Sequence, residues 1–357
     1  MSDDVPAEVL KEFVLRCPVP LPPGETVLLG HGSGGKLTAQ LIRDLLVPVL
    51  GGERSELGRL GDAAVVEVGG VRLAFTTDSF VVTPAFFPGS NIGELSVYGT
   101  VNDLAMMGAR PLFLSAALIL EEGLPMEQLG AVVTSMAGAC RRAGVTLVTG
   151  DTKVVERGSA DGLFVTTSGL GVIPDGVDVG PERARPGDVV LVSGPVGSHG
   201  VAVMSRRAGI EFEAELVSDT APLTGLVEAM LAAGDVRCLR DATRGGLVSV
   251  LNELAEASSV SMTVVEADVP VLAPVRAACE MLGLDPLYVA NEGVCVTIVA
   301  GEDAEAVLAA ARTHPLGENA AIVGKVGEGP PRVSLQTGLG ATRPLIMLAG
   351  DQLPRIC

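Results

Sequence analysis

Apolar residues along this chain recur at two different periods, and the switches between them predict the elements. Ala63–Val68 and Val71–Thr77 are β-branched apolar runs separated only by Gly69-Gly70, which predicts a β-hairpin with a two-residue turn. From Ile92 to Met107 the period changes: Leu95, Val97, Val101, Leu104 and Met107 fall at helical spacing. Phe113–Leu120 predicts a strand, and Met126–Ala143 a helix stopped by Gly144. Val145–Thr149 and Leu163–Ile173 are further strands. A stretch punctuated by Pro174-Asp175-Gly176 and Pro186-Gly187-Asp188 then interrupts the pattern and marks a domain boundary. Beyond it, strands are predicted at Val189–Ser193, Val236–Leu239, Val260–Val265, Val294–Val299 and Ala321–Val326. Helices are predicted near His199–Ala208, Pro222–Ala233, Gly246–Ala257 and Glu302–Thr313. From Gly340 to Cys357 there is little periodicity, so this segment reads as a tail. The mixed order predicts an α+β architecture rather than strict βαβ alternation. The division is an N-terminal extension (1–25), a first domain (26–176), a second (177–340) and the tail (341–357).

Composition narrows the function. The length of 357 residues suits two domains at roughly 100–200 residues each. With 25 basic and 43 acidic residues the net charge is −18, which disfavours nucleic acid and anionic membrane as partners. Aromatics are 3% and Trp is absent, so the core is aliphatic and single-stranded bases have no stacking platform. The longest apolar stretch, Leu112–Leu120, is far shorter than the roughly 20 residues of a membrane helix. Met1–Pro23 lacks the basic and apolar regions of a signal peptide, so a cytoplasmic location is expected. Cys140, Cys238, Cys279 and Cys295 lie in apolar segments and read as small buried hydrophobes. No two cysteines form a CxxC, and zinc is not expected. Cys17 stands apart near the start. Cys357 is the last residue, where packing needs a specific tie.

Four constellations could carry chemistry. Gly30-His31-Gly32-Ser33-Gly34-Gly35-Lys36 fits the glycine pattern of a P-loop but places Leu37 where a Mg²⁺-binding hydroxyl belongs. The helical stretch Leu37–Val47 follows it, so a glycine turn would offer amides to an anion. Carboxylates recur beside apolar strands: Asp62, Asp78, Asp103 next to Asn102, Asp151 and Asp241. One alone is a turn former or cap. Several converging on one rim repel each other unless a cation such as Mg²⁺ holds them. Gly150-Asp151-Thr152-Lys153 and Ala290-Asn291-Glu292-Gly293 each follow an apolar run, as a phosphate partner or tuned base would, or as unrelated turn charges. Asp241-Ala242-Thr243-Arg244-Gly245-Gly246-Leu247 joins a strand end to a helix start through two glycines.

Taken in order, these motifs together with the terminal Pro354-Arg355-Ile356-Cys357 resemble the hydrogenase maturation factor HypE family, within the superfamily of aminoimidazole-ribonucleotide synthetase and selenophosphate synthetase. The resemblance runs from about Leu28 to Cys357. It implies a two-domain PurM-like fold. The N-terminal mixed sheets of two subunits pair into a β-barrel-like homodimer core with ATP near the interface, and a C-terminal α/β domain ends in a flexible tail that carries Cys357 in and out. It implies ATP-dependent dehydration of a thiocarboxamide on Cys357 to a thiocyanate. The carbamoyl donor is then the transferase HypF, and the HypC–HypD complex accepts the cyano group for the iron of [NiFe]-hydrogenase. Carried onto this chain, Gly32, Ser33, Gly34, Gly35, Asn102 and Thr152 are nucleotide-binding candidates. Asp62, Asp78, Asp103, Asp151 and Asp241 are candidates for nucleotide and Mg²⁺. Cys357, Lys153 and Glu292 are the catalytic candidates. Of Lys153 and Glu292, one holds developing charge and the other takes a nitrogen proton, with the assignment open. Arg355 is placed to offset the terminal carboxylate beside the thiol. Two other readings remain: a related kinase or synthetase acting on a free small molecule, and a non-enzymatic carrier presenting Cys357.

Overall fold

The computed structural model describes residues 26–51, 61–209, 216–348 and 355–357. The N-terminal extension with Cys17, and Pro354 of the terminal motif, lie outside the described residues. A short helix α1 (Lys36–Leu41) opens the described chain. The helix expected over Leu37–Val47 is broken: Ile42–Leu46 forms a π-turn and Val47–Leu50 a last turn. Pro48, without an N–H, cannot continue the regular ladder.

The first sheet grows from the expected hairpin. β1 (Ala64–Val68) turns into β2 (Val71–Phe80) through Gly69 and Gly70, with φ of 59° and 80°. Two consecutive left-handed residues are what a type I′ turn needs, and glycine adopts them without strain. A small hairpin of β3 (Phe86–Phe87) and β4 (Ser90–Asn91) leads into helix α2 (Ile92–Met106), whose first turn is capped by the Asn91 side chain accepting from the Gly93 N–H. Next come β5 (Arg110–Glu121), α3 (Met126–Ala143), β6 (Thr146–Val155) and β7 (Leu163–Val172). The sheet order is β1-β2-β7-β5-β6, antiparallel except for β5 beside β6, which the α3 crossover makes parallel. That parallel pairing carries β6 six residues past the expected Thr149.

Helix α2 organises the interior. All its residues except Glu94 and Asp103 are buried. It packs on β2, β5, β7 and α3 on one side and reaches α5 (Thr224–Ala233) and β9 (Val236–Asp241) of the second domain on the other. Gly169 of β7 allows this approach, since a Cβ there would stand 2.8 Å from Thr100 and 2.9 Å from Leu104. A helix sandwiched in this way has no solvent face, so its apolar pattern is continuous rather than striped.

The second sheet has the order β14-β13-β10-β12-β8-β11-β9. Its strands are β8 (Val189–Val192), β9, β10 (Ser261–Val265), β11 (Cys295–Val299), β12 (Ala321–Gly327), β13 (Arg332–Gln336) and β14 (Thr342–Leu345). Its other helices are α4 (Ser198–Ala208), α6 (Gly246–Ser258), α7 (Ala273–Leu282) and α8 (Ala304–Thr313). β11 is buried at every position between β8 and β9. The sequence pattern did not reveal α7, β13 or β14. The last of these carries the second sheet beyond Gly340, through Leu345, which pairs with Val333. The four apolar-segment cysteines are buried, and burial pushes the thiols of Cys279 and Cys295 up to about 11 and that of Cys238 up to about 12. Among the described residues no helix is long and apolar enough to cross a membrane.

Two substitutions test this packing in opposite directions. Leu104→Ala empties a fully buried site on α2 and is expected to cost about 2–5 kcal/mol in urea unfolding. Gly130→Ala lies on α3, where an added Cβ meets nothing within 4 Å, and is expected to stabilise by about 0.5–1 kcal/mol.

Candidate functional site

The two sheets meet at a cluster of carboxylates. Asp62 precedes β1, Asp103 lies on α2 next to the buried Asn102, and Asp241 ends β9. Carboxylate oxygens of all three lie within 4.8 Å of one another. Arg240, next to Asp241, reaches across to Asp62 at 3.3 Å and to Glu253 at 3.0 Å. The Thr76 hydroxyl lies 2.8 Å from Asp103 Oδ2. Burial, then the charges of Asp241, Asp62 and Asp78, push Asp103 well above the usual carboxylate range. Asp62 and Asp241 are raised as well, burial again being the first cause. Asp78, on β2, is raised by burial and faces Arg244 at 3.9 Å. Three hard oxygen donors that resist ionisation together form a donor set suited to a divalent cation such as Mg²⁺.

Glu292 lies on the loop before β11. Its side chain is buried, and Oε1 has no hydrogen-bond partner. Burial and then the charges of Asp241, Asp78 and Asp219 raise it well above the usual range. The Asp219 carboxylate accepts from the backbone N–H groups of Glu292 and Gly293, each at 3.3 Å, and is itself pushed by burial to about 6. Gly293 passes so close to the Asp219 carbonyl that no Cβ fits, at 1.8 Å. Asn102 of α2 donates to the Ala221 and Glu292 carbonyls and accepts from the Leu223 N–H. Its amide therefore clamps the Glu292 loop to the first domain.

The glycine-rich loop closes over this junction. Gly34 has a φ of 75°, and a Cβ there would stand 2.8 Å from Arg244. Arg244 donates to the Gly32 carbonyl at 3.1 Å. Ser33 is buried and donates to the Gly30 carbonyl. The amides expected to face an anion are partly used internally: Gly34 N–H by Thr38 Oγ1, and Lys36 N–H by the Leu348 carbonyl, against which Gly35 packs.

Asp151, Thr152 and Lys153 are not brought to this cluster within the chain. They stand exposed on the edge strand β6, where Lys153 Nζ contacts both Asp151 oxygens at 2.6–2.7 Å. Asp151 is in register with Ala117, Thr166 and Ser79. That puts it three strand spacings from β2, about 14 Å.

The C-terminal residues are drawn into the cleft between the domains. Val81 N–H donates to the Cys357 carbonyl-side oxygen at 3.1 Å, and Thr83 N–H to the Arg355 carbonyl at 3.3 Å. Residues 355–357 thus run antiparallel beside 81–83. Cys357 belongs to the same buried cluster as Phe80 and Ala290, each two residues along the chain from Asp78 and Glu292 respectively. Arg355 does not serve the terminal carboxylate as expected. Its guanidinium pairs with Asp161 at 2.6 Å, donates to the Val81 carbonyl and lies over the Phe164 ring. It holds a left-handed φ of 55°, a conformation that costs a non-glycine residue about 1 kcal/mol or more and persists only where surroundings enforce it. Sequence reasoning passed over Arg240, Asp219, Arg207 and His199. The signal for His199 was available: it is one of only three histidines in the chain, and it sits at a helix start.

The chain is similar to known proteins in sequence and in fold. Residues 60–173 match the AIR synthase related protein N-terminal domain and residues 185–336 its C-terminal domain. A carbamoyl dehydratase HypE of Cupriavidus necator is 53% identical over 331 residues, 92% of this chain and 94% of the relative. The Escherichia coli K12 carbamoyl dehydratase HypE is 48% identical over 335 residues, 93% and 99% of the two chains. Among solved structures, a HypE–HypF complex aligns with a TM-score of 0.82 at 44% identity, covering 86% of this chain and 99% of the other. A hydrogenase maturation protein HypE in complex with ATP aligns at 0.78 and 48% identity, covering 93% and 100%.

Raised carboxylates mean that the folded chain binds more protons than the unfolded one, so stability is present at low pH and falls as pH rises. Asp103→Asn, measured by thermal denaturation in chelator, is expected to melt above wild type at about pH 8, with the gap closing at about pH 5.

Proposed function

The chain belongs to the HypE family of carbamoyl dehydratases, on the AIR-synthase-related fold, and from that membership we propose how its residues divide the work. The reaction converts a thiocarboxamide on the Cys357 sulfur to a thiocyanate with ATP as co-substrate. The amide oxygen takes the γ-phosphoryl group and ADP leaves. The nitrogen gives up both protons, the C–O bond breaks with departure of inorganic phosphate, and a C≡N group remains on sulfur. The observation that carries this reading is the burial of the terminal Cys357 in the cluster that also holds the chain neighbours of Asp78 and Glu292.

Glu292 is the base for a nitrogen proton. A buried carboxylate with one unsatisfied oxygen and a proton affinity raised by burial is suited to take up a proton from the substrate. Asp62, Asp103 and Asp241 are the residues that would hold Mg²⁺, with Asp78 alongside for the nucleotide. The ion supplies charge neutralisation for the phosphates. Gly32, Ser33, Gly34 and Gly35 cover the nucleotide.

Asp151, Thr152 and Lys153 act across a homodimer interface, where Lys153 holds developing charge. Two features support this. β6 is an open edge strand exposed at all but its last position. The sheet face bearing Phe75, Leu170 and Phe113 in register is largely uncovered, with Phe75 49% and Phe113 44% exposed. Pairing of two such sheets would bury this row and deliver the Asp151–Lys153 pair to the other subunit's cleft. HypF loads the carbamoyl group, and the HypC–HypD complex takes the cyano group for hydrogenase iron. The work is done in the cytoplasm, where ATP is available.

Intact-mass measurement tests the reading. The carbamoylated chain is expected to lose the mass of one water from its C-terminal peptide on addition of ATP and Mg²⁺. Glu292→Gln is expected to slow that loss by about 10²-fold or more. Cys357→Ser is expected to abolish loading while ATP still raises the melting temperature. A chain lacking Cys357 that still produced cyanide equivalents would overturn the assignment.

A further inference from the structure

His199 is buried at the start of α4. Its Nε2 lies 2.8 Å from the Ile356 carbonyl oxygen, and its Nδ1 lies 2.8 Å from Ser218 Oγ. A carbonyl only accepts, so Nε2 carries the proton and Nδ1 accepts from the Ser218 hydroxyl. Ser218 Oγ in turn accepts from the Thr220 N–H at 3.1 Å, with the Thr220 hydroxyl at 2.6 Å. The Ser218 backbone N–H is held by the Pro88 carbonyl, and the Phe87 ring stands edge-on to the imidazole with centroids 5.3 Å apart. Burial holds the imidazole down to about 4, so it is neutral at physiological pH. The result is a one-way chain of donors that runs from Thr220 through Ser218 and His199 and ends on the peptide bond preceding Cys357.

We propose that His199 is a positioning residue for the dehydration, docking the C-terminal segment through its Nε2–H to the Ile356 carbonyl so that Cys357 is presented to the site in one orientation. The proposal rests on the reading of Cys357 as the carrier. The geometry acts on both sides of the thiol-bearing carbon: His199 fixes the peptide plane before it, and the Val81 N–H fixes the terminal oxygen after it. Backbone freedom at Cys357 is thereby removed, leaving side-chain torsions to bring the thiocarboxamide to its partners. Arg207 adds a second grip one residue earlier. It donates to the Arg355 carbonyl at 2.8 Å and to the Thr83 carbonyl at 2.7 and 2.9 Å, binding the segment and its neighbour strand together. None of these contacts reaches the acidic cluster, so docking and nucleotide binding are separable.

Two readouts on the full-length chain test this. The first is alkylation of Cys357 by iodoacetamide, followed on the C-terminal peptide. The second is the single-turnover rate of water loss from the carbamoylated chain with ATP. His199→Ala is expected to speed alkylation and slow dehydration by about fivefold or more, the worth of one hydrogen bond. His199→Gln, whose side-chain amide can donate in place of Nε2–H, is expected to restore most of both. ATP-induced stabilisation is expected to be the same in all three proteins. Wild-type alkylation and dehydration rates in His199→Ala would overturn the proposal, as would equal defects in the Ala and Gln variants. If alkylation responds as expected but wild type loses no water, the docking role stands and the dehydratase reading falls.

Discussion

Like charges gathered in a small, half-dry volume are the constraint around which this molecule is arranged. Asp62 and Asp103 come from one domain and Asp241 from the other, so every contact that brings the sheets together also brings carboxylates together. Water-excluded carboxylates are costly unless they are protonated, paired or ligated. The structure supplies countercharge from Arg240, shared between Asp62 and Glu253, and from Arg244 facing Asp78. The remaining deficit is left standing where a cation and polyphosphate can meet it. Helix α2 makes that possible. Buried on all sides, it anchors Asp103 as rigidly as a core residue and uses Asn102, one position earlier, to secure the loop of Glu292.

The same economy governs the end of the chain. Three residues are held by backbone hydrogen bonds, by His199, by Arg207 and by the Arg355–Asp161 pair. The strained backbone of Arg355 lets its guanidinium turn toward Asp161 while its carbonyl accepts from both Thr83 of the first domain and Arg207 of the second. The segment is held both by these polar contacts and by burial of Ile356 and Cys357 in the apolar cluster that also contains Phe80 and Ala290.

Local chemistry made much of the fold legible. The Gly69-Gly70 hairpin and the helix Met126–Ala143 with its Gly144 stop follow from residue types alone; the structure reproduces the turn and the helix, and extends the second hairpin strand three residues beyond Thr77 to Phe80. Of the elements that escaped, the hairpin of β3 and β4 has strands of two residues each, β13 and β14 are short strands that owe their form to neighbours distant in sequence, and α7 carries Pro274 in its first turn. β14 is a strand because Val333 and Leu335 of β13 offer it an edge. The site was legible as an inventory and not as a place. Recurrence of Asp beside apolar runs suggested convergence, yet no spacing rule distinguishes Asp103, which joins the cluster, from Asp151, which stands three strands away. The role of Arg355 was misjudged for the same reason: proximity in sequence to Cys357 suggested a partner that lies across the cleft at Asp161. His199 was marked in the sequence only by its rarity and its place at a helix start; nothing local indicates its contact with Ile356, 157 positions downstream.

The pinned C-terminus changes what kind of catalyst this is. A substrate attached to the last residue and seated by its own main chain reacts at an effective concentration set by the tether rather than by the surrounding solution. Such a site requires no intrinsic affinity for a free carbamoyl compound and shows no Michaelis constant for one. It also becomes its own stoichiometric reagent. Each cycle consumes the modification it carries, so the steady rate is set by how often the arm is reloaded.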